Sequence, residues 1–119
     1  TDPCTHSFSK LAPKVSSNLK MTVLRDLQKW YLAQCNENWE HQFGVTIGTL
    51  DNPGWTVTID LVDTPLANSE FKVVEDMPDG DDWIKCWVAN NKFNGVGGPE
   101  KLEEILTTFL TWARKVAER

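Results

Sequence analysis

The first clear hydrophobic period of the chain follows Met21 and has the spacing of a helix. Its apolar residues recur every three or four positions: Val23, Leu24, Leu27, Trp30 and Tyr31. Thr22 is a residue type that caps helix N-termini, and Asp26 lies where the helix dipole favours an acid. The pattern predicts a helix from Thr22 to near Cys35, where the polar run NEN interrupts it.

Apolar positions then alternate, as in strands with one buried face. In WEHQFGVTIGTL, alternation puts His41 on the core side with Val45 and Ile47, and Glu40 on the open side. The run WTVTIDLV predicts a second strand with four inward residues: Trp55, Val57, Ile59 and Leu61. The inward residues of both strands have odd residue numbers. A hairpin that pairs them therefore needs a loop with an odd number of residues, or a bulge. DNPGW suits a type II turn in which Gly54 takes a positive φ.

Weaker strand patterns follow, and a second helical period closes the chain. SEFKVVE predicts a third strand through Phe71 and Val73, WIKCWVA a fourth, and the region of Phe93 a short fifth. Glycines of GVGGP are interpreted as turns before a helix that opens at Pro99. The expected fold is α+β, an antiparallel four- to five-stranded meander sheet flanked by an N-terminal and a C-terminal helix.

A length of 119 residues corresponds to one domain. Residues 1–20 lack a hydrophobic period, so we interpret them as a leader, either appended to the natural chain or disordered, before a domain at residues 21–119. The three cysteines, Cys4, Cys35 and Cys86, form neither an even set nor a CxxC pair, which favours reduced thiols. With no apolar run long enough to cross a bilayer, the expected location is the cytoplasm.

The net charge of −5 is unevenly distributed along the chain. Residues 36–82 hold eleven acids against Lys72 alone, a segment charge of −10. Such a segment repels nucleic acid and anionic membranes and attracts basic partners. Acidic loops that only maintain solubility are the alternative.

Candidate catalytic groups are few. Adjacent strand residues point to opposite faces, so Glu40 and His41 should not converge on one substrate atom, and His41 is more simply a partly buried histidine. Cys35 is predicted at a helix C-terminus, where the dipole opposes a thiolate, and Cys86 has the spacing of a core residue. GVGGP matches no phosphate-binding loop, and no metal-ligand spacing occurs. We therefore predict no catalytic residue, no metal and no cofactor.

The fourth predicted strand offers a binding surface instead. If Ile84, Cys86 and Val88 face the core, Trp83, Lys85 and Trp87 line the opposite face. Exposed tryptophans rimmed by acids have the composition of a protein-binding hot spot, although an unseen layer over them is the alternative. The predicted partner-binding residues are Glu40, Asp60, Asp82, Trp83 and Trp87.

Four stretches occur in an order that resembles a known family: LQKWYLAQC, NWEHQFGVTIGTLDNPGWTVTIDL, DDWIKC and FNGVGGPEKLEEIL. Together they resemble the immunity protein 53 family of bacterial polymorphic toxin systems, over about residues 21–117. The resemblance implies a non-catalytic protein that binds and neutralises a cognate toxin domain. The acidic charge adds the expectation of a basic toxin such as a nuclease. The alternative is a small-molecule-binding or hydrolytic enzyme that uses Glu40, His41 and Asp60.

Overall fold

A computed structural model describes residues 22–78, 80 and 82–118 of the chain. The elements in chain order are α1 (Thr22–Gln34), α2 (Trp39–Gln42), β1 (Val45–Leu50), β2 (Gly54–Asp60), β3 (Val74–Asp76), β4 (Ile84–Ala89), β5 (Lys92–Gly97) and α3 (Leu102–Ala117). The five strands form one open antiparallel sheet, which confirms the predicted α+β class. The predicted leader, residues 1–20, lies outside the described residues.

The strand order is β1-β2-β5-β4-β3, so the sheet is not the simple meander that the sequence predicted. The chain crosses from β2 to the far edge of the sheet before β3 begins. This connection belongs to the core, because Leu61 and Leu66 are each 1% exposed. Near its end, the backbone carbonyl of Glu70 accepts a hydrogen bond at 2.8 Å from the indole N–H of Trp112 in α3. β5 then returns between β4 and β2.

The β1–β2 hairpin has the predicted register. Val45 pairs with Ile59 and Ile47 with Val57, and residues 51–53 form an odd loop of three between paired Leu50 and Gly54. The predicted type II turn is wrong, since Gly54 does not have a positive φ. A side chain at Gly54 would instead collide with the backbone oxygen of Gly97. Glycine is required there for close approach of two strands.

The third strand differs from its prediction in phase. Val74 pairs with buried Cys86, whereas Val73 is 52% exposed. Phe71 lies before β3 and packs edge-on against Phe93 and Trp112, with ring centroids 5.6 and 5.0 Å away. Phe71 is therefore a core contact of the connection, and the alternation predicted for the third strand is wrong.

The fifth strand is longer than predicted. Gly95 and Gly97, interpreted from sequence as turn residues, lie within β5. An added Cβ at Gly95 would collide with the side chain of Ile105, so glycine lets α3 rest directly on the sheet. Asn90 and Asn91 form the two-residue β4–β5 loop, and their φ angles of 54° and 59° are those that a type I′ turn requires.

The hydrophobic core lies between one face of the sheet and the two long helices. Side chains from this face of the sheet and from the helices form one hydrophobic cluster. Its fully buried members include Val57, Ile59, Cys86, Phe93, Ile105, Leu106 and Phe109. α3 contacts α1 and the three central strands. Its helix begins at Leu102, later than predicted; Pro99 precedes it and accepts a hydrogen bond at 2.9 Å from the indole of Trp55. No described helix covers the opposite, open face of the sheet.

Candidate functional site

Glu40 and His41 lie in the helical turn α2, not in the first strand. The Glu40 carboxylate accepts hydrogen bonds from the backbone N–H groups of Asn36 and Glu37 at 2.9 and 2.8 Å. Hydrogen bonds from the backbone N–H of Glu40 itself and from these two residues lower the pKa of the Glu40 carboxyl. The predicted placement of Glu40 and His41 on opposite faces of one strand is therefore wrong.

The turn forms because side-chain oxygens accept hydrogen bonds from its backbone N–H groups. The side-chain oxygen of Asn36 accepts hydrogen bonds from the N–H groups of Asn38 and Trp39 at 3.0 and 2.9 Å. Such contacts compete with strand pairing. Trp39 is 3% exposed and donates its indole N–H to the backbone carbonyl of Val62 at 2.8 Å, so this turn is anchored by a buried ring. His41 is exposed, and its predicted partial burial is wrong.

Asp60 ends β2 on the open face of the sheet. One carboxylate oxygen accepts a bond at 3.0 Å from the backbone N–H of Gly44. The other lies 2.7 Å from the ammonium of Lys92, its cross-strand neighbour. The side chain is 18% exposed. Its predicted orientation toward the open face is confirmed, and it fixes the start of β1 to β2 and β5.

Asp82 and Trp83 precede β4 at the opposite end of the sheet. The Asp82 side chain is 77% exposed, and one of its oxygens lies 2.7 Å from the ammonium of Lys101. The ammonium of Lys101 also lies 3.1 Å from a carboxylate oxygen of Glu104. The hydrogen bond to Asp82 raises the pKa of Lys101 most, and the bond to Glu104 raises it further. Trp83 is half-buried, and its carbonyl accepts the N–H of Gly98 at 2.9 Å.

Trp87 lies on the open face, as predicted. Its cross-strand neighbour is Asn94, while the alternate residues Ile84 and Cys86 are buried. The ammonium of Lys85 lies 5.3 Å from the centroid of the Trp87 ring, within the range of a cation–π contact. Trp87 is half-buried, so part of its ring is accessible from the open face.

These five predicted site residues do not form one cluster. β2 and β4 run in the same direction on either side of β5, with Trp55 level with Ile84 and Asp60 level with Ala89. β4 alone spans about 17 Å, so Asp82 and Asp60 lie at opposite ends of the sheet. Glu40 belongs near the Asp60 end. Trp87 lies on the open face between the two ends.

The comparison with known families decides the relationship. The model of the family described as Immunity protein 53 matches residues 24–114, which is most of the chain. The chain belongs to the immunity protein 53 family. This membership confirms the resemblance seen in the sequence and implies an immunity protein. No curated protein and no solved structure matches the chain.

In this immunity-family domain, the structure adds residues that the sequence analysis did not select. Glu75 lies opposite Lys85 on the open face. Asp76 is exposed at the end of β3, and Val73 and Met77 beside the strand are 52% and 54% exposed. The sequence predicts a strand through Phe71 and Val73, which would put both on one face. The correct phase depends on pairing with β4, which no local pattern in SEFKVVE specifies.

The geometry gives no support to the enzyme alternative. Glu40, His41 and Asp60 do not line the groove between α1 and β1 or the cavity beside α3. Burial raises the pKa of the Cys86 thiol to about 11, which makes it a poor nucleophile. The described residues contain no group of three or more potential metal ligands. None of the described helices has the length and apolar character that crossing a bilayer requires.

Proposed function

We propose that this immunity protein binds a cognate toxin domain made by the same bacterial cell or its kin and neutralises it without chemistry of its own. Family membership is the observation that carries the proposal. In this proposal inhibition results from occupying the toxin surface. The toxin and the immunity protein would then meet in the cytoplasm, where the cysteines stay reduced.

The distribution of charge supports a basic toxin. The segment 36–82 has a charge of −10, and exposed Glu75, Asp76 and Asp82 belong to it. A surface of this sign accelerates encounter with a basic protein. Nucleases with a basic nucleic-acid groove are one such class, and a carboxylate-rich protein that fills the groove would exclude the substrate.

We propose that the principal contacts lie along β4 and its N-terminal approach. Trp83 and Trp87 are half-buried, and Asp82, which precedes Trp83 in the chain, has a side chain that is 77% exposed. Tryptophans surrounded by polar groups often supply much of the binding energy of an interface. Glu40 and Asp60 stay predicted contacts, although their carboxylates already bind backbone and side-chain donors within the domain.

Co-expression with candidate toxin domains from the same genome tests the proposal. The full chain should restore growth of cells that produce the toxin, and the two proteins should copurify. Trp83→Ala should weaken binding by at least tenfold with a smaller effect on folding, because hot-spot truncation commonly costs about 2 kcal/mol or more. A protein that neither rescues growth nor forms a complex contradicts the proposed function.

A matched control uses Trp55, which is half-buried but donates its indole N–H to Pro99. Trp55→Phe should reduce the free energy of unfolding and leave toxin affinity unchanged when both proteins are folded. Equal losses of binding and stability in Trp83→Ala would show that Trp83 is a packing residue. The contact surface would then be wrong, while rescue of growth by the unchanged chain would still support the toxin-binding function.

A further inference from the structure

The outer edge of β1 lacks the features that usually prevent strand edges from pairing with another chain. β1 has six residues, VTIGTL, and none is charged or proline. No described strand pairs with this edge, since β1 ends the order of the sheet. Natural proteins commonly protect such edges with charges, prolines or very short strands. An unprotected edge of this length is available for strand addition.

The backbone groups that face outward can be assigned from the pairing with β2. Asp60 donates its N–H to the carbonyl of Gly44 at 3.0 Å. Hydrogen-bonded pairs alternate along an antiparallel ladder, so Thr46 and Gly48 also direct their groups toward β2. The N–H and C=O groups of the remaining interior positions then point away from the sheet: Val45, Ile47 and Thr49.

An apolar surface continues from this edge to α1. Ile47 is 39% exposed on the helix side of the sheet, and Leu24 and Tyr31 of α1 are 59% and 38% exposed. A groove of about 460 Å³ separates the two elements and is lined by Leu24, Leu27, Gln28, Tyr31, Phe43, Gly44 and Val45. A partner at this edge can therefore gain both backbone hydrogen bonds and apolar contact.

We infer that the partner is a second copy of this chain, added antiparallel to β1 through a two-fold axis at Ile47. Residue parity permits this arrangement, because Ile47 opposes Ile47 of the second copy and Val45 opposes its Thr49. Each of the three residues with outward backbone groups then lies opposite such a residue of the second copy. Each of the three pairs can form two hydrogen bonds, which gives six between the copies. The same parity keeps the helices of both copies on one side of a ten-stranded sheet.

The uncharged edge of β1 gives a basic toxin no electrostatic advantage and lets two acidic copies approach, whereas the acids of β3 oppose pairing there. Each copy carries −5, so two copies associate most readily through uncharged surfaces. β1 is uncharged, while two of the three β3 residues are acidic. Pairing through β1 puts the two β3 strands nine strand spacings apart, roughly 43 Å, well beyond the Debye length of about 8 Å in physiological salt. Pairing through β3 would bring these acids together.

Sedimentation of the full chain across a wide concentration range tests the inference without any toxin. The unchanged protein should reach twice the 13.5 kDa mass of one chain. Ile47→Lys and Ile47→Glu should each weaken the dimer by at least tenfold, because each opposes like charges across the axis. A mixture of these two variants should form a heterodimer, since position 47 then opposes lysine to glutamate.

Val73→Lys is the matched control, because Val73 is also an exposed apolar residue at a sheet edge, next to β3. It should leave the dimer intact. Amide exchange supplies an independent readout: the N–H groups of Val45, Ile47 and Thr49 should be protected in the dimer and exchange rapidly in Ile47→Lys. If Ile47→Lys fails to fold, Thr49→Lys tests the same edge opposite Val45 of the second copy.

A protein that stays monomeric at all concentrations overturns the inference and leaves the edge to another occupant, such as the toxin or residues 1–21. A dimer that Ile47→Lys does not weaken also overturns it, because association then uses another surface. Failure of the charge-reversed mixture to pair excludes the two-fold axis at Ile47. Each of these outcomes leaves growth rescue by the immunity protein unaffected.

Discussion

The edge strand β1 has six residues without a charge, whereas β3 at the opposite edge has three residues of which two are acidic. Pro78 and further acids follow β3 in the chain. Short length, charge and proline protect a strand edge from pairing, so β3 is protected and β1 is not. One sheet thus presents two surfaces that favour different partners, an acidic one for a basic protein and a neutral one for strand addition.

A buried tryptophan also bonds to a loop carbonyl on each side of the sheet. On the β1 side, Trp39 donates its indole N–H to Val62 at 2.8 Å. On the β3 side, Trp112 donates to Glu70 at the same distance. Both rings are buried, at 3% and 9% exposure. Removing the Trp39 ring should therefore destabilise the β1 edge more than the β3 edge, and removing the Trp112 ring should do the reverse.

The largest expected effect is that of Trp39→Ala, which should lower the free energy of unfolding by about 3–5 kcal/mol through loss of a buried aromatic side chain. Trp112→Ala should cost a similar amount. Chemical denaturation measures both. Trp39→Phe, which keeps an apolar ring but removes the donor, should cost about 1–3 kcal/mol.

Amide exchange in the two Phe variants sharpens the comparison of the edges. Trp39→Phe should accelerate exchange in the β1–β2 hairpin more than at the β3–β4 pairing, and Trp112→Phe should do the reverse. If both substitutions accelerate exchange equally at both edges, the sheet opens as one cooperative unit. The two edges would then lack separate anchors.

The next effect concerns toxin binding at the acidic edge. Reversing three exposed acids there, Glu75→Lys, Asp76→Lys and Asp82→Lys, should slow association with a basic cognate toxin by about 10–100-fold at low salt. Stopped-flow mixing measures the rate. The difference should shrink as ionic strength rises, because salt screens exposed charges.

A control with the same change in net charge reverses three exposed acids associated with α3: Glu100, Glu103 and Glu118. If encounter is directed by the β3 edge, this triple variant should slow association much less. Equal slowing would show that net charge, not its location, governs the rate. The functional distinction between the two edges would then fail.

The sequence predicted the register of the β1–β2 hairpin because both strands have one buried face, and a shift by one residue would expose every core side chain. It also predicted that Trp87 and Lys85 oppose the buried Cys86. It did not predict α2, because alternation carries no information on the hydrogen bonds that Asn36 and Glu40 make to local backbone. Local side-chain capping overrode the strand pattern there.

Strand order and the division of the candidate site depended on long-range contacts. The crossing from β2 to β3 is fixed by burial of Leu61 and Leu66 and by the bond from Trp112 to Glu70. Asp60 was predicted to face outward, but its partners Gly44 and Lys92 lie 16 and 32 positions away. Periodicity within a strand determines which face a residue occupies. It does not determine which donors of other strands meet that residue.

Asp60 therefore provides a smaller test of how β1 is held. Asp60→Ala should lower the free energy of unfolding by about 1–3 kcal/mol, because it removes a charged acceptor and leaves the Gly44 N–H without this partner. Asp60→Asn should cost less, since an amide oxygen can still accept that bond. Exchange should increase in β1 and stay unchanged in β3. Loss of protection at β3 as well would contradict a local role.

Glu40 should have the smallest effect, and its dependence on pH identifies the cause. Its folded pKa is below the ordinary value of 4.5, so the stabilisation is present above the unfolded pKa and is lost as pH falls through the folded pKa. Glu40→Gln should lower the thermal midpoint slightly at pH 7, and the difference from the unchanged protein should shrink as pH falls through the folded pKa of Glu40. A difference that does not change with pH would indicate lost packing. Glu40 lies in α2 beside β1, whereas the principal toxin contacts are proposed along β4. Glu40→Gln should therefore change toxin affinity less than Asp82→Lys does.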